Sequence, residues 1–376
     1  MQSTFSSQTL LDYNDVTRID PINVNIILHH LMNQGKLTDR AVLYINEVAS
    51  NLFQKEANVV DLNDNVETLI IGDTHGQFYD TVSLLEKTQA ARYVFLGDYV
   101  DRGEFGVELV LMLFSLKISS PKRFIFLRGN HESRAMSEKN TFKAECLSKY
   151  NEEIYESFIS VFQTLPIAAV VNNKYFCVHG NVTPGLTTIA AINELNRFCE
   201  PEKGTQLGEM LWNDPINEEE MYDASLGKYD YAASTINTTN NDLSELNNYF
   251  KGKNLEEVKK WMTVESTPNT KRNWGKRIGY SYMKQFLLEN QLTSIIRGHE
   301  YEEDGYKEMY YMIEDIPILY TVFSAPNYFC GRYVNLGAYL IIKNGDVKAK
   351  KFRGVSLERT PSPEFEKEAE KISVVV

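Results

Sequence analysis

Cysteine is scarce in this chain, and its placement excludes two classes of protein. Cys146, Cys177, Cys199 and Cys330 are the only four in 376 residues. None pairs as CxxC, so neither a zinc ribbon nor a disulfide framework is encoded, and reduced, buried thiols are expected. Long apolar runs are missing too. No stretch approaches the roughly 20 residues of a membrane-spanning helix, and the opening MQSTFSSQTL lacks the basic-then-apolar order of a secretory leader. A cytoplasmic or nuclear location is therefore expected, and the acceptor triplets at Asn181 and Asn237 carry no weight there. Positive charge is the third deficit. With 39 Lys and Arg against 51 Asp and Glu, the formal charge is -12, and no basic stripe offsets it, which excludes nucleic acid as a main partner.

What is present is enough for a large core, with 43% hydrophobic and 12% aromatic residues. INVNIILHHLMNQGKL reads as an amphipathic helix stopped at Gly35. A second helix follows, capped by Thr38 or Asp39, with Val42, Ile45, Val48, Leu52 and Phe53 on one face. Short runs rich in β-branched and aromatic residues come next: ETLII, RYVFL, RFIFL, KYFCV, TSII, LYTVF and YLII. Helical stretches such as VELVLMLFSLKI and EEIYESFISVFQTL separate several of them, an alternation that indicates an α/β protein. Asn344-Gly345 between strand-like flanks predicts a hairpin. Residues 216–271 are acidic and Asn-rich and read as a mostly solvated insertion. It carries two helical patterns (Leu243, Leu246 and Phe250; Leu255, Val258 and Met262, with Asn254 and Glu257 as caps). Three parts are expected: an extension over 1–19, a domain over 20–353 and a charged tail over 354–376.

Six of the apolar runs lead directly into polar motifs: GDTHGQ, GDYVDRG, RGNHE, HG, RGHE and SAPNY. Strand ends are where an α/β sheet assembles its sites. The chain has six histidines, and four of them (His75, His131, His179, His299) lie in these motifs. His29 and His30, on the first helix without ligand-like neighbours, read as surface or packing residues. Imidazoles interleaved with Asp73, Asp98, Asp101 and Asn130 suit borderline metals such as Zn, Fe and Mn, whereas an all-oxygen set would suit Mg or Ca.

The ordered motifs resemble the signature of the PPP family of serine/threonine phosphatases over roughly residues 20–353. The calcineurin catalytic branch is the nearest match on HHLMNQGKL, LPIAAVVNNKYFCVHG and the segment His299 to Tyr306. The resemblance implies a central β-sandwich flanked by helices, the calcineurin-like metallophosphoesterase fold, with two divalent or trivalent ions per chain, manganese or an iron and zinc pair. Asp73 and His75 would bind one ion, Asn130, His179 and His299 the other, and Asp98 would bridge them. A metal-bridging hydroxide would attack phosphoserine or phosphothreonine in line. His131 matches the general acid, Asp101 would orient it, and Arg102 would bind phosphate oxygens. A second phosphate-binding arginine corresponds to Arg272 by counting back from His299. The family's following glycine is Asn273 here, however, and Arg277 is near enough to compete. Tyr328 would touch substrate or the bridging water. Thr74 and Asn181 depart from the pattern without removing a ligand, and asparagine tolerates left-handed backbone better than other non-glycine residues.

Two other classes fit the sequence less well. A silent scaffold should have lost a ligand or the acid, and a small-molecule phosphoesterase would have no use for SAPNY and the long C-terminal half. Phosphoprotein substrates are the expected partners. A regulatory subunit is compatible, but the charged SPEFEKEAEKISVVV offers no calcineurin-B-type apolar helix. Thr360-Pro361 and Ser362-Pro363 could be phosphorylated in a solvated tail. Turnover is accordingly expected without calcium or calmodulin. A calcium-dependent gain in rate on adding a regulatory subunit would contradict this.

Overall fold

The computed structural model describes residues 10–217, 262–311 and 316–355. Among them run fourteen strands: β1 (Val59–Leu62), β2 (Thr68–Ile71), β3 (Arg92–Phe95), β4 (Phe124–Phe126), β5 (Ala168–Val171), β6 (Tyr175–Val178), β7 (Asp214–Pro215), β8 (Ser266–Pro268), β9 (Lys276–Ile278), β10 (Ser294–Arg297), β11 (Tyr306–Tyr311), β12 (Pro317–Val322), β13 (Gly337–Lys343) and β14 (Asp346–Phe352). They form a six-stranded sheet ordered β1-β5-β6-β10-β12-β11, a five-stranded sheet ordered β14-β13-β2-β3-β4, and a small sheet ordered β7-β9-β8.

The two large sheets pack face to face. Ile70, Val94 and Ile125 from one meet Ala169, Cys177, Ile296 and Val322 from the other. Alternate residues of the first sheet, Leu69, Ile71, Tyr93, Phe95 and Phe126, face the helices Val24–Met32, Asp39–Phe53, Gly106–Ser119 and Glu152–Phe162. Val170, Phe176, Val178 and Ile295 do the same on the other side, against the helices Gln206–Trp212 and Tyr280–Glu289. Strands covered on both faces need apolar residues at every position, which is why β2, β3 and β4 read as unbroken apolar runs. Each buried aliphatic or aromatic side chain contributes about 1.5–3 kcal/mol. The expected β-sandwich flanked by helices is what forms, and the Asn344-Gly345 hairpin joins β13 to β14 with both turn residues in left-handed backbone.

The helix starts follow their caps. Thr38 Oγ1 accepts from the Ala41 N–H, and Asn23 Oδ1 from that of Ile26. His29 is exposed, and His30 bonds the Lys36 carbonyl at 3.0 Å, consistent with a packing role.

Three expectations need correction. The extension drawn over 1–19 already packs at its C-terminal end: Leu11 and Val16 are buried, and Leu11 bridges to Leu37. The ends of 216–271 are not solvated, since Ile216, Met262, Val264 and Thr267 are buried and β8 pairs with β9. A three-residue strand with polar residues leaves too little periodicity to read. Cys199 is only half-buried, while Cys146 and Cys177 are buried, all three as free thiols. Asn181 is not among the residues with left-handed backbone. Its Oδ1 accepts from the next N–H at 2.8 Å instead. The patterns at Leu243, Leu246 and Phe250 and at Leu255 and Val258, and the tail from residue 356 with both Ser/Thr-Pro sites, lie outside the described residues.

Backbone crowding where β3 meets β4 gives a stability prediction. Gly97 has φ +111°, and a Cβ there would lie 2.4 Å from the Gly129 nitrogen; Gly204 has φ +84° but open space around it. Gly97→Ala should cost more than ~3 kcal/mol and Gly204→Ala about 1 kcal/mol, read from denaturant midpoints. Equal costs would mean that the close approach is not required.

Candidate active site

Parallel β2, β3 and β4 release their chains at one end of the sandwich, as do parallel β6, β10 and β12 of the opposing sheet. The loops leaving these six ends carry Asp73 and His75, then Asp98 to Arg102, then Asn130 and His131, then His179, then His299, then Tyr328. The structure brings all of them together, and most are buried. Asp73, His75, Asp98, Asp101, Asn130, His131, His179 and His299 are each at most 7% exposed.

Asp98 stands at the centre. Its Oδ2 lies 3.7 Å from His75 Nε2 and 3.9 Å from His131 Nε2, and its Oδ1 lies 3.2 Å from His179 Nε2. It therefore belongs to two candidate metal-holding groups, His75–Asp98–His131 and Asp98–His179–His299. Asp73 sits between them, 3.8 Å from His75 Nε2 and 4.0 Å from His179 Nδ1, and its Oδ1 accepts from the His299 N–H at 2.9 Å.

The tautomers indicate what the cluster can hold. His179 Nδ1 faces the Leu96 carbonyl at 3.1 Å and His75 Nδ1 the Val100 carbonyl at 3.0 Å, so these nitrogens carry the protons and both Nε2 atoms present lone pairs. His179 Nε2 is then 2.9 Å from Asn130 Oδ1 and 3.2 Å from His299 Nδ1. With the Asp98 carboxylate, four acceptors surround one point. A cation reconciles them, and mixed imidazole, carboxylate and amide oxygen donors suit Zn, Fe or Mn. Turning the Asn130 amide would place its nitrogen 2.9 Å from both imidazole nitrogens; toward a cation it presents oxygen. Protons compete for the same positions: burial opposes a charge on His179, but Asp98 and Asp73 outweigh it and raise its pKa. Burial and the neighbouring Asp98 push the Asp73 carboxyl up to about 7. Burial opposes ionisation of Asp98 as well, but His179 and His131 hold it far below the usual carboxylate range. Burial and His131 push His75 down to about 3. The residues present fit two metal ions.

His131 is held from the far side. Its Nδ1 bonds Asp101 Oδ2 at 2.6 Å. Asp101 Oδ1 accepts the N–H groups of Thr141 and Phe142 at 3.0 and 2.8 Å, where the helix Phe142–Lys149 begins. Carboxylate charge is favoured at a helix N-terminus, and through Oδ2 Asp101 fixes the imidazole tautomer. Burial lowers the affinity of His131 for a proton, but Asp98 and Asp101 outweigh it and raise its pKa.

This loop backbone is strained. His75, Asp98, Asp101, Arg102 and His299 all have φ between +38° and +73°, conformations that cost about 1–3 kcal/mol each unless the surroundings impose them. Glu132 imposes one, because its carboxylate accepts the N–H groups of Asp98, Tyr99 and Gly129 at 2.7, 2.7 and 2.9 Å.

The arginines resolve as follows. Arg272 bonds the Asp214 carboxylate and, through Nη2, the His299 carbonyl at 3.2 Å, which puts it at the site's rim. Asn273 has φ +51°, so asparagine supplies the left-handed turn after it. Arg277 is buried in β9. The Arg102 guanidinium lies 5.7 Å from the Phe329 ring centre. Tyr328 packs its ring 5.2 Å from that of His75.

Sequence reasoning missed Glu132 and Asp214. Glu132 follows His131 directly in RGNHE, but its three N–H partners come from two loops. Asp214 is hydrogen-bonded to Asn269, Arg272 and Arg297, and only its place in WNDP could have flagged it. Arg128 and Arg297, which open RGNHE and RGHE, are fully buried and bond carbonyls of Glu132, Arg197, Cys199, Gly180 and Asn213, a packing role.

Residues 67–303 match the calcineurin-like phosphoesterase family. Serine/threonine-protein phosphatase 2B catalytic subunit A2 of Saccharomyces cerevisiae is 36% identical over 341 residues, 89% of this chain and 52% of that protein. A Schizosaccharomyces pombe protein bearing a serine/threonine-protein phosphatase name is 30% identical and matches 85% of this chain and 89% of its own. A solved S. cerevisiae serine/threonine phosphatase with similarity to human phosphatase PP5 superposes with a TM-score of 0.69 at 28% identity, over 88% of this chain and 95% of that one. The chain spans about half the length of the phosphatase 2B relative.

Glu132→Ala would leave three buried N–H groups without an acceptor, at about 1–3 kcal/mol each. A loss above ~3 kcal/mol in chemical denaturation is expected, together with weaker metal retention because Asp98 is released. Wild-type stability and metal content would refute the assignment.

Proposed function

Because the chain belongs to the calcineurin-like phosphoesterase family and resembles its serine/threonine protein phosphatases, we propose that it hydrolyses phosphoserine and phosphothreonine esters on other proteins. The observation that carries this reading is the buried Asp98 carboxylate shared by two imidazole groups, with the Asp101-held His131 beside it. The catalytic unit is the domain over 20–353 together with the packed segment from Leu11. Asp73, His75 and Asp98 would hold one ion, and Asp98, Asn130, His179 and His299 the other. Such a pair supplies Lewis acidity to the phosphoryl oxygens and makes a nucleophile available from water near neutral pH.

The chain's own residues do the rest. Arg102 and Arg272 bind phosphate oxygens and turn phosphorus toward the cluster, with Asp214 holding the Arg272 fork in position. Water attacks phosphorus in line with the departing serine or threonine oxygen. His131, protonated at Nδ1 toward Asp101, gives the Nε2 proton to that oxygen as the P–O bond breaks. Asp101 orients the imidazole and stabilises its cation. Tyr328 closes the His75 side of the cavity and lies within reach of bound substrate.

A variant series tests these roles. Purified protein should retain two transition-metal ions by elemental analysis and hydrolyse a phosphoserine peptide. Asp98→Ala or His299→Ala should lose metal and turnover together. His131→Ala should keep both ions and lose about 10²–10⁴-fold in kcat; a metal-free His131 variant would make it a ligand instead. Arg272→Ala should raise KM more than it lowers kcat.

A further inference from the structure

Three tyrosines form a partly exposed triangle beside the cluster. The Tyr328 ring centre is 5.9 Å from that of Tyr333 and 6.2 Å from that of Tyr301, and Tyr301 and Tyr333 are 5.1 Å apart. Tyr301 and Tyr328 both rest on Phe323, at 5.5 and 5.0 Å. Most surface aromatics hide their faces, yet Tyr301 is 40% exposed, Tyr333 45%, and the neighbouring Val334 88%.

The shelf is built in advance of any ligand. Buried Asn335 accepts the Tyr328 N–H at 2.8 Å and donates to the Ala325 carbonyl at 2.9 Å, and the Leu336 N–H donates to the Glu303 carbonyl at 3.0 Å. This last bond ties the loop carrying Tyr333 to the turn carrying Tyr301. The shelf is also continuous with the reactive centre, because Tyr328 abuts the His75 ring at 5.2 Å. A peptide whose phosphate sits at the cluster and whose chain leaves on this side must cross it. From the His75 ring, Tyr301 and Tyr333 are reached by a 5.2 Å step to Tyr328 and a further 6.2 or 5.9 Å step, a path that about three extended residues span at roughly 3.3 Å each.

Resting on the phosphatase reading above, we propose that Tyr301, Tyr333 and Val334 form a specificity subsite for an apolar side chain of aromatic or leucine size, two to three residues from the phosphoserine or phosphothreonine. Aromatic faces reward such a side chain by area and by ring geometry, and nothing in the catalytic step needs these three residues.

The test uses the full metal-loaded chain and pairs of phosphoserine peptides that differ only by Phe or Ala at the second or third position on either side. Phenyl phosphate, too short to pass Tyr328, is the control substrate. Wild type should favour one Phe peptide by about tenfold in kcat/KM, on the scale of one well-packed aromatic contact. Tyr301→Ala and Tyr333→Ala should erase that preference and leave phenyl phosphate turnover within about twofold, while Tyr301→Phe retains it. Val334→Asp, at a side chain too exposed to support folding, should also reduce it if either alanine variant proves unstable. No preference in wild type, or an intact preference in the Tyr301, Tyr333 and Val334 variants, would overturn the subsite and leave the phosphatase reading standing. Failure of the wild type to hydrolyse either substrate class would overturn the phosphatase reading itself.

Discussion

Asp98 is a carboxylate with almost no access to water, surrounded by the nitrogen atoms of three histidines and a fourth nearby. A buried anion is tolerated only when it is paired or coordinated. Asp73 lies in the same cavity and competes for whatever positive charge is present, which is why its carboxyl is pushed up while that of Asp98 is pushed down. Cations placed on either side of Asp98 relieve both. The sandwich serves this arrangement, since each large sheet sends three parallel strands toward it and the loops at their ends carry the remaining candidate ligands.

Holding those loops has a structural cost that the rest of the fold offsets. Five site residues have left-handed backbone. They are kept there by Glu132 beneath Asp98, by the start of the helix Phe142–Lys149 beneath Asp101, and by backbone contacts that only glycine permits between Gly97 and Gly129 and between Gly76 and Gly103. Glu145, on the same helix, accepts the Gly106 and Val107 N–H groups. The loop bearing Asp101 and Arg102 is thus anchored at both ends to one helix. Rigidity of this kind is what positioning a phosphoryl group between metals and arginines requires.

Much of this was legible in the sequence because each ligand follows an apolar strand within a few residues, so local pattern and site chemistry coincide. GDTHGQ after ETLII already implies where Asp73 and His75 emerge. The other half of the site was not legible, because it depends on contacts between distant segments. Glu132 reaches back to Asp98, Asp214 forward to Arg272, and the shelf joins Tyr301 to Tyr333 across β11 and β12. β1 and β5, short and partly Ala-rich, carry no pattern of their own and become strands by pairing with each other. The turn after Arg272 shows the reverse case, where an apparent departure at Asn273 keeps the left-handed backbone that a glycine would have had.

On the proposed reading, two ions share the Asp98 carboxylate. Anomalous diffraction from crystals grown with manganese tests it most directly. Two peaks about 3.5–4 Å apart are expected, one on the His75 and Asp73 side and one beside His179, Asn130 and His299, with Asp98 between them. A single peak, or manganese bound away from Asp98, would contradict it.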